Sequence, residues 1–286
     1  MVHTPAHSGI GGALTYESEV AHPSGTLVRV PLGSRELLGV VWDSPTEPYA
    51  SSPAEIQLRT VASVLEGVPP LSAQWRQLVQ FAASYYQRSA GEVALAALPS
   101  QLRDLTAEQW ARRLKRKPKA APAYPGAAPA IPMPTDEQSQ VLADIDAHAG
   151  PFLLFGNTGS GKTEVYLRAA QDVLARDSHA QILVMVPEIN LTPQLEERFR
   201  ARFCPQWGAD CLVALHSSLT PAQRLKNWLA AHSGEARIVL GTRMAVFASM
   251  PHLQLIVVDE EHDPSYKQQE GARYSARDLA VYRGQL

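Results

Sequence analysis

The chain has 286 residues, and the 45% that are hydrophobic suffice for one large or two medium-sized cores. Its 28 acidic residues slightly outnumber its 26 lysines and arginines, so any nucleic-acid contact must come from local basic patches rather than net charge. The chain has only two cysteines, Cys204 and Cys211, so its composition excludes a disulfide framework and a tetrahedral zinc site. Both cysteine side chains are expected to be buried.

The amino-terminal third predicts a small β-rich unit. Residues 1–13 form a leader that we expect to be disordered, and they lack the apolar stretch of a signal peptide. No apolar run in the chain approaches the length of a membrane span, so we expect a cytoplasmic protein without membrane contact. Apolar runs at residues 27–30 and 37–42, joined by a turn at 31–34, predict two short strands.

A helix is predicted after the Ser- and Pro-rich stretch at residues 44–53. Its apolar residues recur at helical spacing and form a core face: Trp75, Leu78, Val79, Ala82, Tyr85 and Tyr86. Adjacent residues of a helix point to different sides, so one of the two tyrosines is expected to be exposed. Gly91 is placed where it could end the helix.

A basic helix and a linker follow. The pattern from Thr106 to Gln109 is that of a capping box, and residues 103–119 carry seven lysines and arginines. A solvated helix face is the simplest interpretation of that charge, and contact with phosphates is the alternative. Six prolines among alanines at 117–134 predict a semi-rigid extended linker, so 104–134 separates two regions.

From residue 135 onward, apolar runs alternate with helical segments. The runs lie at residues 152–155, 182–186, 212–215, 238–240 and 255–258. This alternation indicates βαβ crossovers and an α/β fold with a buried parallel sheet. Ligands of such sheets gather at the carboxyl ends of the strands, which is where the polar motifs of this region fall.

The strongest motif is GNTGSGKT at residues 156–163, which fits the P-loop pattern and stands between an apolar run and a helical pattern. Its backbone N–H groups would surround the phosphates of ATP, and the following helix points its positive dipole end at them. Lys162 would reach the β- and γ-phosphates, and Thr163 would ligate Mg²⁺. The other residues of the phosphate cradle are Gly156, Asn157, Thr158, Gly159, Ser160 and Gly161.

A second polar motif ends the last apolar run. Asp259 and Glu260 follow residues 255–258 directly, and by themselves they would be typical of an acidic helix start. With a P-loop upstream, they predict the catalytic acids of an ATPase, because one carboxylate must hold the Mg²⁺ shell and another must orient the attacking water. Asp259 is assigned to the metal and Glu260 to the water.

The motifs together resemble the family of bacterial primosomal protein N′ (PriA), a superfamily 2 replication-restart helicase. The match is dense from residue 136 to residue 283, and the stretch DEEHDPSYKQQEG at 259–271 is not shared by helicases in general. Weaker similarity in residues 28–99 is to the domain of that family that binds the 3′ end of a nascent strand. The resemblance therefore implies a β-rich DNA-binding domain at 14–103, followed by a RecA-like P-loop lobe at 135–286.

The resemblance also implies site residues. Gln138 would read the adenine edge, although it also fits a helix-capping position. Gly33 and Arg59 would contact the terminal nucleotide, and the loop at 266–274 would stack bases and couple DNA binding to hydrolysis. The residues expected to touch DNA in the lobe and its loop are Thr192, Gln194, Thr242, Arg243, Tyr266, Arg273 and Tyr274.

Several positions depart from the family. Residues 14–16 read Leu-Thr-Tyr where the family has Phe-Asp-Tyr, and Ala272 stands where a tryptophan is usual. No room is left for the family's winged-helix domain, and the chain stops at Leu286, before the third motif and the second ATPase lobe. That lobe carries the arginine finger, so we expect this chain alone to bind ATP weakly and hydrolyse it slowly.

The sequence thus favours a truncated ATP-dependent 3′-to-5′ DNA helicase of replication restart, with ATP and Mg²⁺ as cofactors and no zinc. Forked and single-stranded DNA, primosome proteins and single-strand-binding protein are the partners that the resemblance implies. The main alternative is a non-enzymatic module that binds fork DNA. The signature motifs of other classes of P-loop protein are absent from this sequence. A different superfamily 2 enzyme would share the P-loop and the acids but not the stretch at residues 263–283.

Overall fold

The computed structural model describes residues 14–42, 57–114, 131–157 and 159–286. The predicted leader, the stretch at 44–53, residues 117–130 of the linker and Thr158 lie outside these ranges. The strands are β1 Leu27–Leu32, β2 Arg35–Val40, β3 Ser63–Val64, β4 Gln181–Met185, β5 Leu212–Leu215, β6 Ile238–Gly241 and β7 Leu253–Val258. The helices are α1 Ala73–Tyr85, α2 Ala90–Ala97, α3 Ser100–Asp104, α4 Ala107–Leu114, α5 Asp136–Ala147, α6 Lys162–Arg176, α7 Pro193–Trp207, α8 Pro221–His232 and α9 Ala276–Gln285.

The amino-terminal region contains the predicted hairpin. β1 pairs antiparallel with β2 down to Leu32 and Arg35, and β3 pairs with the other edge of β1. The turn between them is Gly33 and Ser34, and Gly33 has a φ of 62°. A two-residue hairpin turn needs positive φ, which glycine adopts without steric cost. The two predicted strands are confirmed.

The apolar face predicted for the first helix of this region is buried. Ser72 caps α1, and Trp75, Leu78, Val79 and Ala82 are buried as expected. Tyr85 is 69% exposed while Tyr86 is partly buried, which confirms that only one of the pair faces solvent.

The prediction for Gly91 was wrong. Helix α1 ends at Tyr85 and is capped by Tyr86, after which Gln87 takes a positive φ of 53°. Gly91 lies inside α2, after the cap residue Ser89. The serine side chain accepts a hydrogen bond from Glu92 N–H and starts a new helix before the glycine is reached. The capping box of Thr106 and Gln109 at α4 is confirmed by two reciprocal hydrogen bonds.

A four-stranded sheet in the order β5-β6-β4-β7 forms the second region, and each of its neighbouring pairs is parallel. Four of the five predicted apolar runs are therefore confirmed as strands. Alternate residues point to opposite faces, so Ile182 and Val184 pack with α6 and α7, whereas Leu183 and Met185 pack with α8 and the amino-terminal region. Cys204 and Cys211 are both buried, as predicted.

The fifth run, residues 152–155, does not form a strand, which corrects the expected strand before the P-loop. Phe152, Leu153 and Phe155 are 48%, 76% and 90% exposed. A strand exists only where a neighbour takes up its hydrogen bonds, and among the described residues no strand pairs with the free edge of β7. An apolar run predicts burial, but a pairing partner decides whether the strand forms.

The two regions are docked against each other. Trp75 Nε1 donates to the carbonyl of Phe247 at 2.8 Å, and the Tyr86 hydroxyl accepts from Ser275 N–H at 3.0 Å. Helix α1 packs on α9, and a single hydrophobic cluster contains buried residues from both regions. Within the described ranges, no helix combines the length and apolar character that crossing a bilayer requires.

Candidate functional site

The P-loop leads from the exposed residues 152–155 into α6. Gly159 and Gly161 have φ of 84° and 85°, which only glycine adopts readily. A Cβ on Gly156 would lie 2.6 Å from Ser160 Oγ, and one on Gly161 would collide with Gln138 Nε2. Backbone conformation therefore favours glycine at 159 and 161, and close approach of neighbouring side chains favours it at 156 and 161; such a turn is typical of anion-binding backbone cradles. Thr158 lies outside the described residues.

Two side chains flank this cradle. Lys162, the first residue of α6, donates from Nζ to the carbonyl of Gly156 at 2.5 Å and to that of Asn157 at 3.3 Å. Gln138 accepts from Thr135 N–H at 3.1 Å as part of a capping box, and its Nε2 lies 3.5 Å from the Ser160 carbonyl oxygen. Gln138 therefore caps α5 and lies beside the P-loop at the same time.

The acidic motif follows β7. Asp259 N–H donates to the carbonyl of Met185 on β4, and its Oδ1 accepts from Glu260 N–H at 3.0 Å. Burial raises the pKa of the Asp259 carboxyl above its usual value, and hydrogen bonds from Tyr166 and Glu260 together with the Lys162 charge partly offset this rise. Glu260 has a positive φ of 46°, an uncommon conformation for a residue with a side chain, at the predicted water-activating position.

The P-loop helix and the acidic motif meet through a residue that the sequence analysis missed. Tyr166 on α6 donates a hydrogen bond from its hydroxyl to Asp259 Oδ2 at 3.2 Å, across 93 residues of sequence. Burial raises the pKa of Tyr166, and the nearby Asp259 charge raises it further. Helical spacing could have signalled this contact, because Tyr166 lies four residues after Lys162 and three after Thr163, on the same side of α6.

The structure brings some of the predicted DNA contacts of the lobe together. Thr242 and Arg243 follow β6 and line a cavity of about 50 Å³ with Glu188, Ser217, Met244 and Ser265. Arg243 Nη1 donates to the carbonyls of Ser265 and Lys267 at 2.9 and 3.2 Å. Thr242 itself is only 5% exposed.

Two further predicted contacts lie elsewhere on the lobe. Thr192 and Gln194 are exposed at the start of α7 and are not among the residues that line this cavity. The Thr192 side chain caps α7 by accepting from Leu195 N–H at 3.3 Å.

The loop at 266–274 differs from the expectation that its aromatic residues stack on bases. Tyr266 is 2% exposed, and its hydroxyl donates to the Asp259 carbonyl at 2.7 Å, so its ring offers no face to a base. Tyr274 packs edge-on against Phe247, and burial raises its pKa to about 12. Only Arg273 of the three predicted residues is exposed. In this structure Tyr266 packs in the core and anchors the Asp259 backbone, and base stacking by this loop stays a prediction.

In the amino-terminal region, the two residues predicted to contact a terminal nucleotide lie side by side. Arg59 Nη1 donates to the carbonyl of Gly33 at 2.7 Å, and both residues are exposed. Tyr16, in the stretch that departs from the family pattern, donates its hydroxyl to the Pro31 carbonyl at 3.1 Å. This end of the small sheet therefore offers a guanidinium and a bare backbone turn to a ligand.

Among the described residues, no cluster of three or more His, Cys, Asp or Glu side chains could hold a metal ion. Mg²⁺ does not need one, because it commonly binds through one or two carboxylates, water and substrate phosphates. Asp259 can supply such a carboxylate, and Thr163 is the second residue of α6, the helix whose Tyr166 hydroxyl donates to Asp259.

The sequence model of the DEAD/DEAH box helicases matches residues 135–284, more than half of the chain. The chain belongs to the DEAD/DEAH box helicase family. The matched residues include both the P-loop and the acidic motif. A second match, to the 3′ DNA-binding domain (3′BD), covers residues 2–99.

This helicase chain is also similar to curated proteins named replication restart protein PriA. The protein of Rickettsia felis is 33% identical over 260 residues, which cover 91% of this chain and 37% of that protein. The protein of Haemophilus influenzae is 32% identical over 92% of this chain and 44% of its own length. The protein of Bacillus subtilis is 43% identical over 161 residues. The helicase chain therefore spans less than half the length of these relatives.

Proposed function

We propose that the chain provides a 3′ DNA-binding domain at 14–103 and the first ATP-binding lobe at 135–286 of an ATP-dependent 3′-to-5′ DNA helicase of replication restart. Forked and single-stranded DNA are its proposed substrates, and primosome proteins and single-strand-binding protein its proposed partners, in the cytoplasm. The support comes from family membership, from similarity to replication restart proteins PriA and from the paired Gly33 and Arg59.

One observation carries the ATP-binding part of the proposal. The hydrogen bond between Tyr166 and Asp259 joins the P-loop helix to the acidic motif, which supports a common site for the proposed phosphate cradle, Lys162 and the proposed metal-holding carboxylate. Bound Mg²⁺ would neutralise charge on the phosphates. Lys162 would bind the β- and γ-phosphates, Thr163 and Asp259 would hold the metal, and Glu260 would orient a water molecule.

A second candidate, a module that binds fork DNA without hydrolysing ATP, is supported by a different observation. Phe152, Leu153 and Phe155 before the P-loop are exposed, and this run lies outside the sheet. Lys162 is hydrogen-bonded to carbonyls of its own loop. A cradle that is not held by a strand is less preorganised for phosphate binding, which predicts weak nucleotide affinity.

The experiment that tests the proposal measures binding of a fluorescent ATP analogue and ATP turnover, with and without forked DNA. Lys162→Ala is expected to weaken nucleotide binding about tenfold to a hundredfold, because hydrogen bonds to charged groups contribute about 1.5–3 kcal/mol. Lys226→Ala, on the exposed side of α8, makes the same charge change away from the site and is the matched control.

Equal nucleotide binding by wild type and Lys162→Ala would contradict the ATP-binding proposal. Fork binding that survives Lys162→Ala, in a chain without measurable turnover, would favour the DNA-binding module. Turnover that rises with forked DNA and is lost only in Lys162→Ala would support the helicase assignment.

A further inference from the structure

The hydroxyl of Tyr166 contacts a group that is proposed to hold Mg²⁺. It donates to Asp259 Oδ2 at 3.2 Å. We propose that Tyr166 is a positioning residue that fixes the Asp259 carboxylate, and with it the metal site. The inference rests on the proposed function, since it assumes that ATP and Mg²⁺ bind at this place.

Packing holds the Tyr166 ring in one position. The ring is 7% exposed and stacks on Phe199 of α7, with ring centroids 6.3 Å apart and planes 22° from parallel. Phe199 is itself fully buried and stacks in turn on Phe203. Because the ring is enclosed, the position of its hydroxyl is set by α6, the same helix that begins with Lys162. The P-loop and the orientation of Asp259 are thereby coupled through one rigid element.

The carboxylate of Asp259 is fixed at both oxygens. Oδ1 accepts from Glu260 N–H and Oδ2 accepts from Tyr166, which together define the rotation of the carboxylate plane. Each carboxylate oxygen has two lone pairs, so one on each remains for a cation or its water. The Tyr266 hydroxyl donates to the Asp259 backbone carbonyl and so also fixes the backbone of this residue.

Removing only the Tyr166 hydroxyl distinguishes its role in positioning the Asp259 carboxylate from the role of its ring in packing. Tyr166→Phe keeps the ring that stacks on Phe199 and deletes only the donor to Asp259. Partners that orient metal ligands typically contribute about tenfold to a hundredfold in metal affinity. We therefore expect Tyr166→Phe to bind Mn²⁺ about tenfold more weakly in the complex with a non-hydrolysable ATP analogue, and to bind the analogue unchanged in EDTA.

The measurement is a Mn²⁺ titration of the whole chain, followed by electron paramagnetic resonance. Asp259→Asn removes a proposed ligand and gives the lower limit of affinity. Tyr16→Phe is the matched control, because it deletes a tyrosine hydroxyl that donates to a backbone carbonyl in the amino-terminal region. Its Mn²⁺ affinity should equal that of the wild type.

Each outcome decides one claim. Mn²⁺ affinity of Tyr166→Phe within about twofold of wild type, with Asp259→Asn clearly weaker, would overturn the role of Tyr166 and leave the proposed function intact. Weaker binding of the analogue in EDTA would show that the hydroxyl is merely structural. A wild-type chain that binds no more analogue than Lys162→Ala would overturn the proposed function, and this inference with it.

Discussion

Strands β4 and β7 are parallel neighbours of similar apolar character, but their surroundings differ. Every residue of β4 is buried, because β6 and β7 pair with its two edges. No residue of β7 is fully buried, because within the described part of the chain only β4 pairs with it. Position in the sheet, rather than the composition of the strand, therefore sets burial.

The two halves of the proposed nucleotide site differ in the same way. Asp259 lies at the end of the half-buried strand, but apart from Glu260 N–H its contacts come from buried groups: Tyr166 of α6, Met185 of β4 and Tyr266. The entry to the P-loop has no such support, since Phe155 is 90% exposed. The proposed acidic half of the site is anchored by the packed side of the sheet, whereas the proposed phosphate-binding half is anchored through α6 and a contact with Gln138 of α5.

The largest effect is expected from Phe199→Ala on the packed side. Phe199 of α7 is fully buried against α6, so the variant should lose about 3–5 kcal/mol of unfolding free energy, measured by urea denaturation. The Tyr166 ring would also lose its stacking partner. A loss below about 1 kcal/mol would mean that this side of the sheet can collapse around the cavity, and that the contrast with β7 is overstated.

An intermediate loss of folding stability is expected at acidic pH, because of the buried side chain of His232. His232 stacks on Trp228, donates from Nε2 to the Pro69 carbonyl at 2.7 Å, and its Nδ1 lies 2.8 Å from the Ser249 hydroxyl. Burial lowers the pKa of His232 below its usual value of 6.5. The unfolded chain therefore takes up a proton first as the pH falls, so stability is complete above pH 6.5 and is lost toward the native pKa.

The test compares urea midpoints of wild type and His232→Gln between about pH 7.5 and 5.5, where each pKa unit of difference contributes about 1.4 kcal/mol. The wild type should lose more stability on acidification than the variant. His179→Gln changes an exposed histidine and should keep the wild-type slope. Equal slopes for all three proteins would show that His232 does not sense pH.

The smallest effect is expected from Phe155→Ala, the same chemical change as Phe199→Ala on the unsupported side. An exposed ring contributes little to folding, so the unfolding free energy should stay within about 0.5 kcal/mol of wild type. A loss comparable to that of Phe199→Ala would show that residues 152–155 pack against the protein in solution, which would remove the contrast between the two sides of the site.

The sequence by itself predicted the site residues. GNTGSGKT and the acids after residue 258 predict a phosphate cradle and a metal-holding carboxylate, because these patterns act through local backbone geometry and residue type. Four of the five apolar runs became strands for a similar reason, since short buried strands have a local apolar signature. The helix faces around Trp75 and the capping box at Thr106 were equally readable.

Only the tertiary structure decided which of these segments pair with a neighbouring strand or pack in the core, and which side chains contact Asp259. Residues 152–155 have the composition of a strand but no described partner at the edge of β7, and Tyr266 looks like a stacking residue but is buried beneath Asp259. Tyr166 reaches Asp259 across 93 residues of sequence. Strand pairing and side-chain contacts of this kind depend on segments distant in the chain, and local patterns of residue type carry no information about which distant segment will be the neighbour.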